Sequence, residues 1–350
     1  MRHIIDLTPD ELIEYLKGIN QPRYRADQIY KGLYVKNWDS FEDFSTLPKS
    51  LRAELAGQFY LRRFTLIDAI KSPVDNTTKY LWQLGDGSRI ESVTIYEGKR
   101  VTFCISSQVG CPLDCKFCAT GKMGLLRNLS VAEIVEQVLQ MKARAERPPT
   151  NIVFMGMGEP LLNYDTVIRA ADILSHPEGL CFNRKKITIS TSGIAKNIRR
   201  MADEGLPYSL AVSLNAVTQN MREKIMPIAR KYPLDELLDA VRYYTKKTRR
   251  RVTFEYVLMK GLNDSEADAH SLVKLTAGIP CKINVIPCNS DDPLYAPPED
   301  DVLIRFDQII NKKNRTITIR SRKGWDIRAA CGQLYADNER KKRIHVEMLE

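Results

Sequence analysis

The first sixty residues carry apolar side chains at helical spacing. The clearest pattern follows Thr8-Pro9-Asp10-Glu11, which combines a capping box with proline at the first helical position. Similar patterns over residues 25–33 and 49–55 predict two further helices. We therefore expect residues 1–60 to form a small helical domain.

The pattern changes in residues 61–100. The segments TLIDAI, KYLWQLG and ESVTIYEG alternate polar and apolar positions or carry β-branched side chains, and Asp-Gly and Glu-Gly pairs mark turns near them. These features predict a β-rich extension between the helical domain and the rest of the chain.

From residue 101 onwards, short apolar runs alternate with helical patterns. The runs are VTFCI (101–105), NIVFMG (151–156), KITIS (186–190), YSLAVSLN (208–215), VTFEYVLM (252–259), KINVIP (282–287) and RTITIR (315–320). A second capping box, Ser130-Val131-Ala132-Glu133, begins the clearest of the helices between them. Strands separated by helices indicate parallel βαβ units, in either a (β/α) barrel or a doubly wound sheet.

The chain of 350 residues has a formal net charge of +10, which favours a polyanionic partner such as nucleic acid. Basic clusters occur at 184–186, 246–251 and 340–343. A solvated face is the more common explanation for any one such cluster, and no RNP motif or KH-type loop is evident.

The sequence contains no apolar run of the length that a membrane helix needs. Its N-terminus carries acidic residues where a signal peptide has an apolar core. We therefore expect a cytoplasmic protein whose eight cysteines are reduced, so that clustered thiols indicate metal or redox chemistry.

Three of these cysteines, Cys111, Cys115 and Cys118, form a C-x3-C-x2-C motif. Structural zinc sites commonly use two C-x2-C pairs or histidines, and the chain has only four histidines, none near this motif. Three cysteines suit a [4Fe–4S] cluster in which one iron lacks a protein ligand. A zinc site remains the alternative.

The motif, with Phe117 before its last cysteine, resembles the signature of the radical S-adenosylmethionine (SAM) superfamily. The resemblance implies that the open iron binds the amino and carboxylate groups of SAM and that the cluster cleaves SAM to a deoxyadenosyl radical. Gly158 and Glu159 resemble the Gly-Glu-Pro motif of that superfamily, which contacts the SAM amino group; a tight βα turn is the alternative.

Four segments, CISSQVGC, FMGMGEPLLN, ISTSG and AACGQL, resemble the RlmN/Cfr group of adenine-methylating radical SAM enzymes. The resemblance implies a partial (β/α) barrel over 101–350, an RNA-binding helical domain over 1–60 and an extension over 61–100. Pro160 favours the RlmN branch, which methylates carbon 2 of adenosine 2503 in 23S rRNA and of adenosine 37 in tRNA. The Cfr branch methylates carbon 8 of the same rRNA adenosine.

The resemblance also assigns roles to three residues. Cys331 carries the methyl group as S-methylcysteine, Cys104 resolves the RNA–enzyme adduct through a transient disulfide with Cys331, and Glu91 accepts the proton from carbon 2. Each turnover then uses two SAM molecules. Without the resemblance, the cysteines would be interpreted as small buried hydrophobes and Glu91 as a strand residue.

Further SAM contacts are implied at Ser190, Ser213, Leu214, Asn215 and Asn289. The family usually has histidine where this chain has Asn215, so an imidazole contact there would be lost. The resemblance also implies flavodoxin as the electron donor and a monomer without membrane contact. A methylthiotransferase would need a second set of cluster cysteines, and a non-catalytic zinc- or RNA-binding protein is the alternative from another class.

Overall fold

The first sixty residues are mainly helical, as predicted. The structure is a computed structural model that describes residues 2–61, 64–290, 292–311, 316–320 and 322–336. The Thr8 hydroxyl accepts a hydrogen bond from the Glu11 amide, and the Glu11 carboxylate accepts one from the Thr8 amide. The elements are β1 (Arg2–His3), a 3₁₀ turn (Ile4–Asp6), α1 (Pro9–Gly18), α2 (Tyr24–Tyr30), a π-helical turn (Lys31–Val35), a 3₁₀ turn (Phe41–Asp43), α3 (Lys49–Gln58) and β2 (Phe59–Tyr60). β1 pairs with β2 in parallel, which the sequence pattern did not predict.

The predicted β-rich extension is an antiparallel meander. Its strands are β3 (Thr65–Lys71), β4 (Thr78–Gln83), β5 (Arg89–Glu97) and β6 (Arg100–Cys104). In the register of β4 and β5, Leu81 lies directly opposite Glu91. β6 belongs to both halves of the molecule, because its other edge pairs in parallel with the strand that follows residue 150.

A hairpin encloses the C-x3-C-x2-C motif. Its strands, β7 (Gln108–Cys111) and β8 (Gly124–Asn128), pair in antiparallel fashion, and a single helical turn, α4 (Ala119–Lys122), lies between them. Gly110 adopts a φ of +80°, and a Cβ there would collide with the carbonyl oxygen of Gly124. Only glycine therefore allows the two strands to approach at this point.

The predicted apolar runs form parallel strands. They are β9 (Asn151–Phe154), β10 (Ile187–Thr191), β11 (Ser209–Ser213), β12 (Val252–Leu258), β13 (Cys281–Pro287) and β14 (Ile317–Ile319). The sheet order is β14-β13-β12-β11-β10-β9-β6-β5-β4-β3. From β6 to β14 each strand pairs with the next one of the sheet along the chain, so the order never reverses. A doubly wound sheet reverses at a switch point, and this sheet is therefore the open, barrel-type alternative.

Helices connect the parallel strands and cover one face of the sheet. The helices are α5 (Val131–Arg144), α6 (Tyr164–Ser175), α7 (Ala195–Asp203), α8 (Gln219–Ile225), α9 (Leu234–Thr248), α10 (Glu266–Leu275) and α11 (Asp300–Asn311). Short 3₁₀ turns lie at Pro160–Asn163, Arg184–Lys186, Pro227–Arg230, Pro293–Tyr295 and Trp325–Ile327. Ser130 caps α5 as predicted. The fold is thus an α/β partial barrel, as the sequence predicted.

The helical unit packs on α5 and α6. The Asp6 carboxylate accepts a hydrogen bond from the Ala132 amide (2.9 Å), and the Asp6 carbonyl accepts one from Arg169 Nη2 (2.6 Å). The Arg169 guanidinium also pairs with Glu11. These contacts place the unit on the outer, helical layer of the barrel.

Candidate active site

A pocket opens at the carboxyl ends of the parallel strands, where barrel active sites lie. Residues from widely separated parts of the sequence line it. Among the predicted site residues, those that line the pocket are Cys111, Cys115, Cys118, Gly158, Glu159, Ser190, Ser213, Asn215 and Cys331. Leu214, Asn289, Cys104 and Glu91 lie near it but outside its lining.

The three cysteines of the motif share one wall of this pocket. Cys111 ends β7, and Cys115 and Cys118 follow in the loop before α4. The Lys116 amide donates to the Ile225 carbonyl (2.9 Å), which ties this loop to the end of α8. The hairpin and this bond together hold the three thiols towards the same space.

The thiols of these cysteines are protonated more readily than free ones. Burial raises the pKa of all three, and the neighbouring Cys115 and Cys118 charges raise that of Cys111 further. Iron cations would reverse this effect, because metal coordination stabilises thiolates. No three Cys, His, Asp or Glu side chains within the described ranges lie close enough to share a single metal ion. In a [4Fe–4S] cluster each cysteine binds a different iron, so three thiols around one open pocket fit that group.

Glu159 and Gly158 follow β9 at the pocket wall. The Glu159 carboxylate accepts hydrogen bonds from the Ser192 amide (2.7 Å) and the Leu161 amide (3.0 Å), and burial raises its pKa. Gly158 has a φ of +102°, and a Cβ there would lie 2.6 Å from Cβ of Gln108. The turn therefore requires glycine, and it orients a buried carboxylate that suits an ammonium group.

The ends of β10 and β11 bring Ser190, Ser213 and Asn215 to the same wall. Asn215 has a φ of +57°, a conformation that asparagine tolerates better than most residues. Its Oδ1 accepts from the Val257 amide (2.9 Å), and its Nδ2 donates to Sδ of Met226 (3.2 Å). Asn215 is thus held by its backbone conformation and by hydrogen bonds within the barrel wall.

Leu214 is fully buried, and its backbone makes hydrogen bonds to two neighbouring residues. Its amide donates to the Glu255 carbonyl (2.9 Å), and its carbonyl accepts from Nε of the buried Arg222 (3.2 Å). Asn289 is also buried, and its Oδ1 accepts from Arg322 Nε (2.8 Å). Both residues therefore support the strand ends and the C-terminal segment from just outside the pocket.

Cys331 reaches the pocket from the far end of the described chain. The Gly332 carbonyl accepts from the Ala119 amide (2.7 Å), and the Leu334 carbonyl accepts from the Thr120 hydroxyl (2.6 Å). Cys331 keeps solvent access, whereas Cys104 at the end of β6 is buried. Burial, and then the charge of neighbouring Cys331, raises the pKa of Cys104 to about 12. The two thiols are thus close enough to interact electrostatically.

Glu91 lies on β5 and is hydrogen-bonded to the segment that carries Cys331. Its side chain is 5% exposed; Oε1 lies 3.0 Å from Lys79 Nζ, and Oε2 accepts from the Tyr335 amide (2.9 Å). Burial raises the pKa of Glu91, and the Lys79 charge opposes that rise. A buried carboxylate with a raised pKa is suited to accept a proton near neutral pH.

Sequence reasoning missed Glu255, Ser192, Lys79 and Arg222. Glu255 and Ser192 line the pocket, and an acidic residue inside the apolar run VTFEYVLM was a usable signal. Arg222 is fully buried in α8, its Nη2 donates to the Ser192 carbonyl (2.6 Å), and burial lowers its pKa to about 10. No pattern in the sequence distinguishes Arg222 or Lys79 from surface cations.

Two of the three basic clusters lie on the described surface. Residues 184–186 form an exposed 3₁₀ turn, and residues 246–251 lie at and beyond the end of α9. In the second cluster, Lys247 pairs with Asp203, so part of its charge is compensated. The third cluster, 340–343, lies outside the described residues. Among the helices that the structure describes, none is long and apolar enough to cross a membrane.

Comparisons with known proteins agree with this geometry. A family model described as the radical SAM superfamily matches residues 105–273. A second, described as the ribosomal RNA large subunit methyltransferase N-terminal domain, matches residues 3–61. The dual-specificity RNA methyltransferase RlmN of Geobacter sulfurreducens is 46% identical over 335 residues, which are 95% of this chain and 92% of that protein. The RlmN of Geotalea uraniireducens is 45% identical over 334 residues, 95% of this chain and 96% of that one.

The fold comparison gives the same result. A radical SAM methyltransferase from Sphaerobacter thermophilus superposes with a TM-score of 0.92 at 42% sequence identity, covering 96% of this chain and 100% of that one. This similarity extends over nearly the whole of both chains. It confirms the resemblance seen in the sequence, as do the cysteine motif and the barrel. The chain belongs to the RlmN family of radical SAM RNA methyltransferases.

Proposed function

We propose that this enzyme methylates carbon 2 of adenosine 2503 in 23S rRNA and of adenosine 37 in tRNA. The relatives named above are dual-specificity RNA methyltransferases, which supports both RNA classes as substrates. The observation that carries the proposal is that Cys331 lines the same pocket as Cys111, Cys115 and Cys118. A fourth thiol with solvent access next to a cluster site is what a methyl carrier requires.

The chain's own residues provide the cofactor sites. Cys111, Cys115 and Cys118 would hold the [4Fe–4S] cluster, and Gly158, Glu159, Ser190, Ser213, Leu214, Asn215 and Asn289 would form the SAM site or support it. Cluster and SAM together supply a deoxyadenosyl radical when bound. Carbon 2 of adenine is not a nucleophile towards SAM, so the methyl group must travel through a protein side chain, at the cost of two SAM molecules per turnover.

Cys331 is the proposed methyl carrier. Cys331 is exposed as a residue and lines the pocket, so both SAM and the RNA base can approach it there. Methyl transfer to sulfur requires a thiolate. Burial raises the pKa of the Cys331 thiol, and the guanidinium of Arg320 opposes that rise, as it does at Cys104. The target base must leave its stack to enter the pocket, as in other enzymes that modify bases.

Cys104 and Glu91 are proposed to complete the reaction. Glu91 removes the proton from carbon 2 of the adduct, which also gives up one electron to the cluster when that is bound. Cys104 then attacks the sulfur of Cys331 and a disulfide forms; the electron pair of the broken carbon–sulfur bond stays on the methylene carbon, which takes up a proton and becomes the methyl group. The electrostatic contact between Cys104 and Cys331 supports this pairing. Reduction of the disulfide then restores both thiols for the next turnover.

The remaining assignments follow from family membership. We propose that residues 1–60 contribute to RNA binding, that 61–100 present Glu91 and that 101–350 form the catalytic barrel. Flavodoxin is the proposed electron donor, and we propose a cytoplasmic monomer.

The decisive experiment is anaerobic incubation of the reconstituted protein with a 23S rRNA fragment and SAM bearing a trideuterated methyl group. Mass spectrometry of the digested nucleosides should detect 2-methyladenosine with two transferred deuteriums and one exchanged hydrogen. A methyl group with all three deuteriums would contradict the carrier route, and 8-methyladenosine would assign the Cfr-type reaction. Zinc in place of iron, in a colourless protein without methylation, would support the non-catalytic alternative.

A further inference from the structure

Lys79 is a cation in an unusual position. Its neighbour two residues along β4, Leu81, lies directly opposite Glu91 on β5, so Lys79 and Glu91 are diagonal neighbours on one face of the meander. The Lys79 side chain is only 13% exposed and its Nζ lies 3.0 Å from Glu91 Oε1. Lysine is rarely this buried unless its charge is paired, so the position is specific for that carboxylate.

The same pair holds both ends of the segment that carries Cys331. Lys79 Nζ also donates to the Arg328 carbonyl (3.4 Å), three residues before Cys331. Glu91 Oε2 accepts from the Tyr335 amide (2.9 Å), four residues after it. The ion pair therefore spans the loop between residues 328 and 335, and each partner binds one end of that loop.

We propose that Lys79 is a positioning residue that keeps the Glu91 carboxylate and the Cys331 loop in one fixed arrangement. This inference rests on the proposed function, in which the base and the methyl carrier must act on the same adenine. General-base catalysis depends on the distance between base and proton, and a loop held at both ends cannot move its sulfur away from the base. Loss of Lys79 removes one of the contacts that hold this end of the loop, and it removes the charge that opposes protonation of Glu91.

The contacts of Glu91 are few enough to isolate the effect of Lys79. The Lys79 ammonium and the Tyr335 amide face its carboxylate from β4 and from the C-terminal segment. On the side of β5 the contacts are to its backbone, where the Glu91 carbonyl accepts from the Ser106 hydroxyl (2.6 Å) and the Glu91 amide donates to Sδ of Met157 (3.3 Å). Lys79 is thus the charged side chain that acts on Glu91 within the described residues.

The test compares Lys79→Met and Lys79→Arg with Lys71→Met in the reconstituted enzyme. Lys71 lies on β3 of the same meander and also pairs with a glutamate, Glu146, but its side chain is half exposed. It is therefore a matched control for the loss of a lysine from an ion pair. Single-turnover methylation of the rRNA fragment is measured as a function of pH. We expect the rising limb for Lys79→Met to move upward by about one pH unit, because an opposite charge in contact typically shifts a carboxyl pKa by that much or more. Lys79→Arg should restore the profile, and Lys71→Met should leave it unchanged.

A second measurement does not depend on turnover. Hydrogen exchange of the amides of residues 328–336, without RNA, should be about tenfold faster in Lys79→Met, since loss of a contact of this kind weakens local protection. The positioning role would be overturned if Lys79→Met and Lys79→Arg both lost rate while the pH profile and the hydrogen exchange of residues 328–336 stayed as in the wild-type enzyme. If the wild-type enzyme fails to methylate RNA, the proposed function fails, while the exchange measurement still decides whether Lys79 holds the loop.

Discussion

The cluster loop and the C-terminal segment bring cysteines to one pocket by different means. The cluster loop, residues 111–118, is held by strands that pair next to it, with Cys111 opposite Gly124. The C-terminal segment, residues 322–336, has a single 3₁₀ turn, and apart from the bond between Arg322 and Asn289 its hydrogen-bond partners named above lie more than 200 positions away. Asp75 accepts from the Gly324 amide (2.9 Å), and Ser72 donates to the Asp326 carboxylate.

The cluster loop is thus held mainly by contacts that are local in sequence, and the C-terminal segment by contacts that are distant in sequence. The hairpin closes a short loop, so the loss of chain entropy on closure is small. The hydrogen bonds between β7 and β8 offset that loss. The C-terminal segment lacks a regular backbone ladder of its own and depends on contacts with the meander, with α4 and with Asn289. We therefore expect damage in the meander to loosen this segment while the cluster stays in place.

The largest effect is expected for the cluster loop. Cys115→Ala should abolish cluster binding and methylation, because a cluster held by only two cysteines is lost. Iron content and the visible absorption of the reconstituted protein measure this change. Cys181→Ala is the control, since Cys181 is exposed and lies outside the pocket. Normal iron content in Cys115→Ala would contradict the assigned ligand set.

Cysteine substitutions outside the cluster loop should leave the cluster intact and stop the reaction at different points. Cys104→Ala should accumulate a covalent RNA–protein adduct, because the thiol that breaks the carbon–sulfur bond is gone. Cys331→Ala should form no adduct. Denaturing gels of protein purified with its RNA measure the difference. RNA-free Cys104→Ala enzyme with normal turnover would remove Cys104 from the mechanism.

A smaller effect is expected from pH. Glu91 must be ionised to accept a proton, and burial raises its pKa, so resolution of the adduct should slow as pH falls through that raised value. Well below it, the rate falls about tenfold for each pH unit. Glu91→Gln should remove this dependence along with most of the rate. Quenched-flow measurement of adduct decay provides the test, and an unchanged pH profile in Glu91→Gln would exclude this role.

The smallest effect is expected where the segment meets the meander. Ser72→Ala removes the hydroxyl that donates to Asp326, a loss of about 1 kcal/mol, or roughly fivefold in the population of the released segment. Limited proteolysis within residues 322–336 should accelerate by that factor, with iron content unchanged. Ser88→Ala, on a turn of the same meander, is the control. A change in iron content instead would mean that the two regions are coupled.

The distinction between local and distant contacts also explains which parts of the structure the sequence could predict. The parallel strands β9 to β12 were predictable because most of their residues are buried on both faces, so that each reads as a nearly continuous apolar run. The cluster cysteines were predictable because their spacing is itself the ligand set. The pairing of β1 with β2 and the hairpin around the cluster were not, since their residues lack distinctive periodicity.

The contacts that hold the Glu91 carboxylate could not be predicted from the sequence. Glu91 meets Lys79 through the register of β4 and β5, and it meets Tyr335 across 244 positions. Such contacts depend on the relative placement of finished elements rather than on local preference. Arg222 illustrates the same limit: in its helix it looks like any surface cation, yet it is fully buried and binds carbonyls at the ends of two strands.

The bond between Glu91 and the Tyr335 amide has a consequence for biosynthesis. Chains emerge from the ribosome N-terminus first, and the meander and the cluster hairpin can pair as soon as residue 128 has left the exit tunnel. The loop that brings Cys331 to Glu91 can close only after residue 335 has emerged. A nascent chain can therefore form its cluster-binding loop long before the segment that carries Cys331 is bound to Glu91, so the methyl carrier and the base are brought together last.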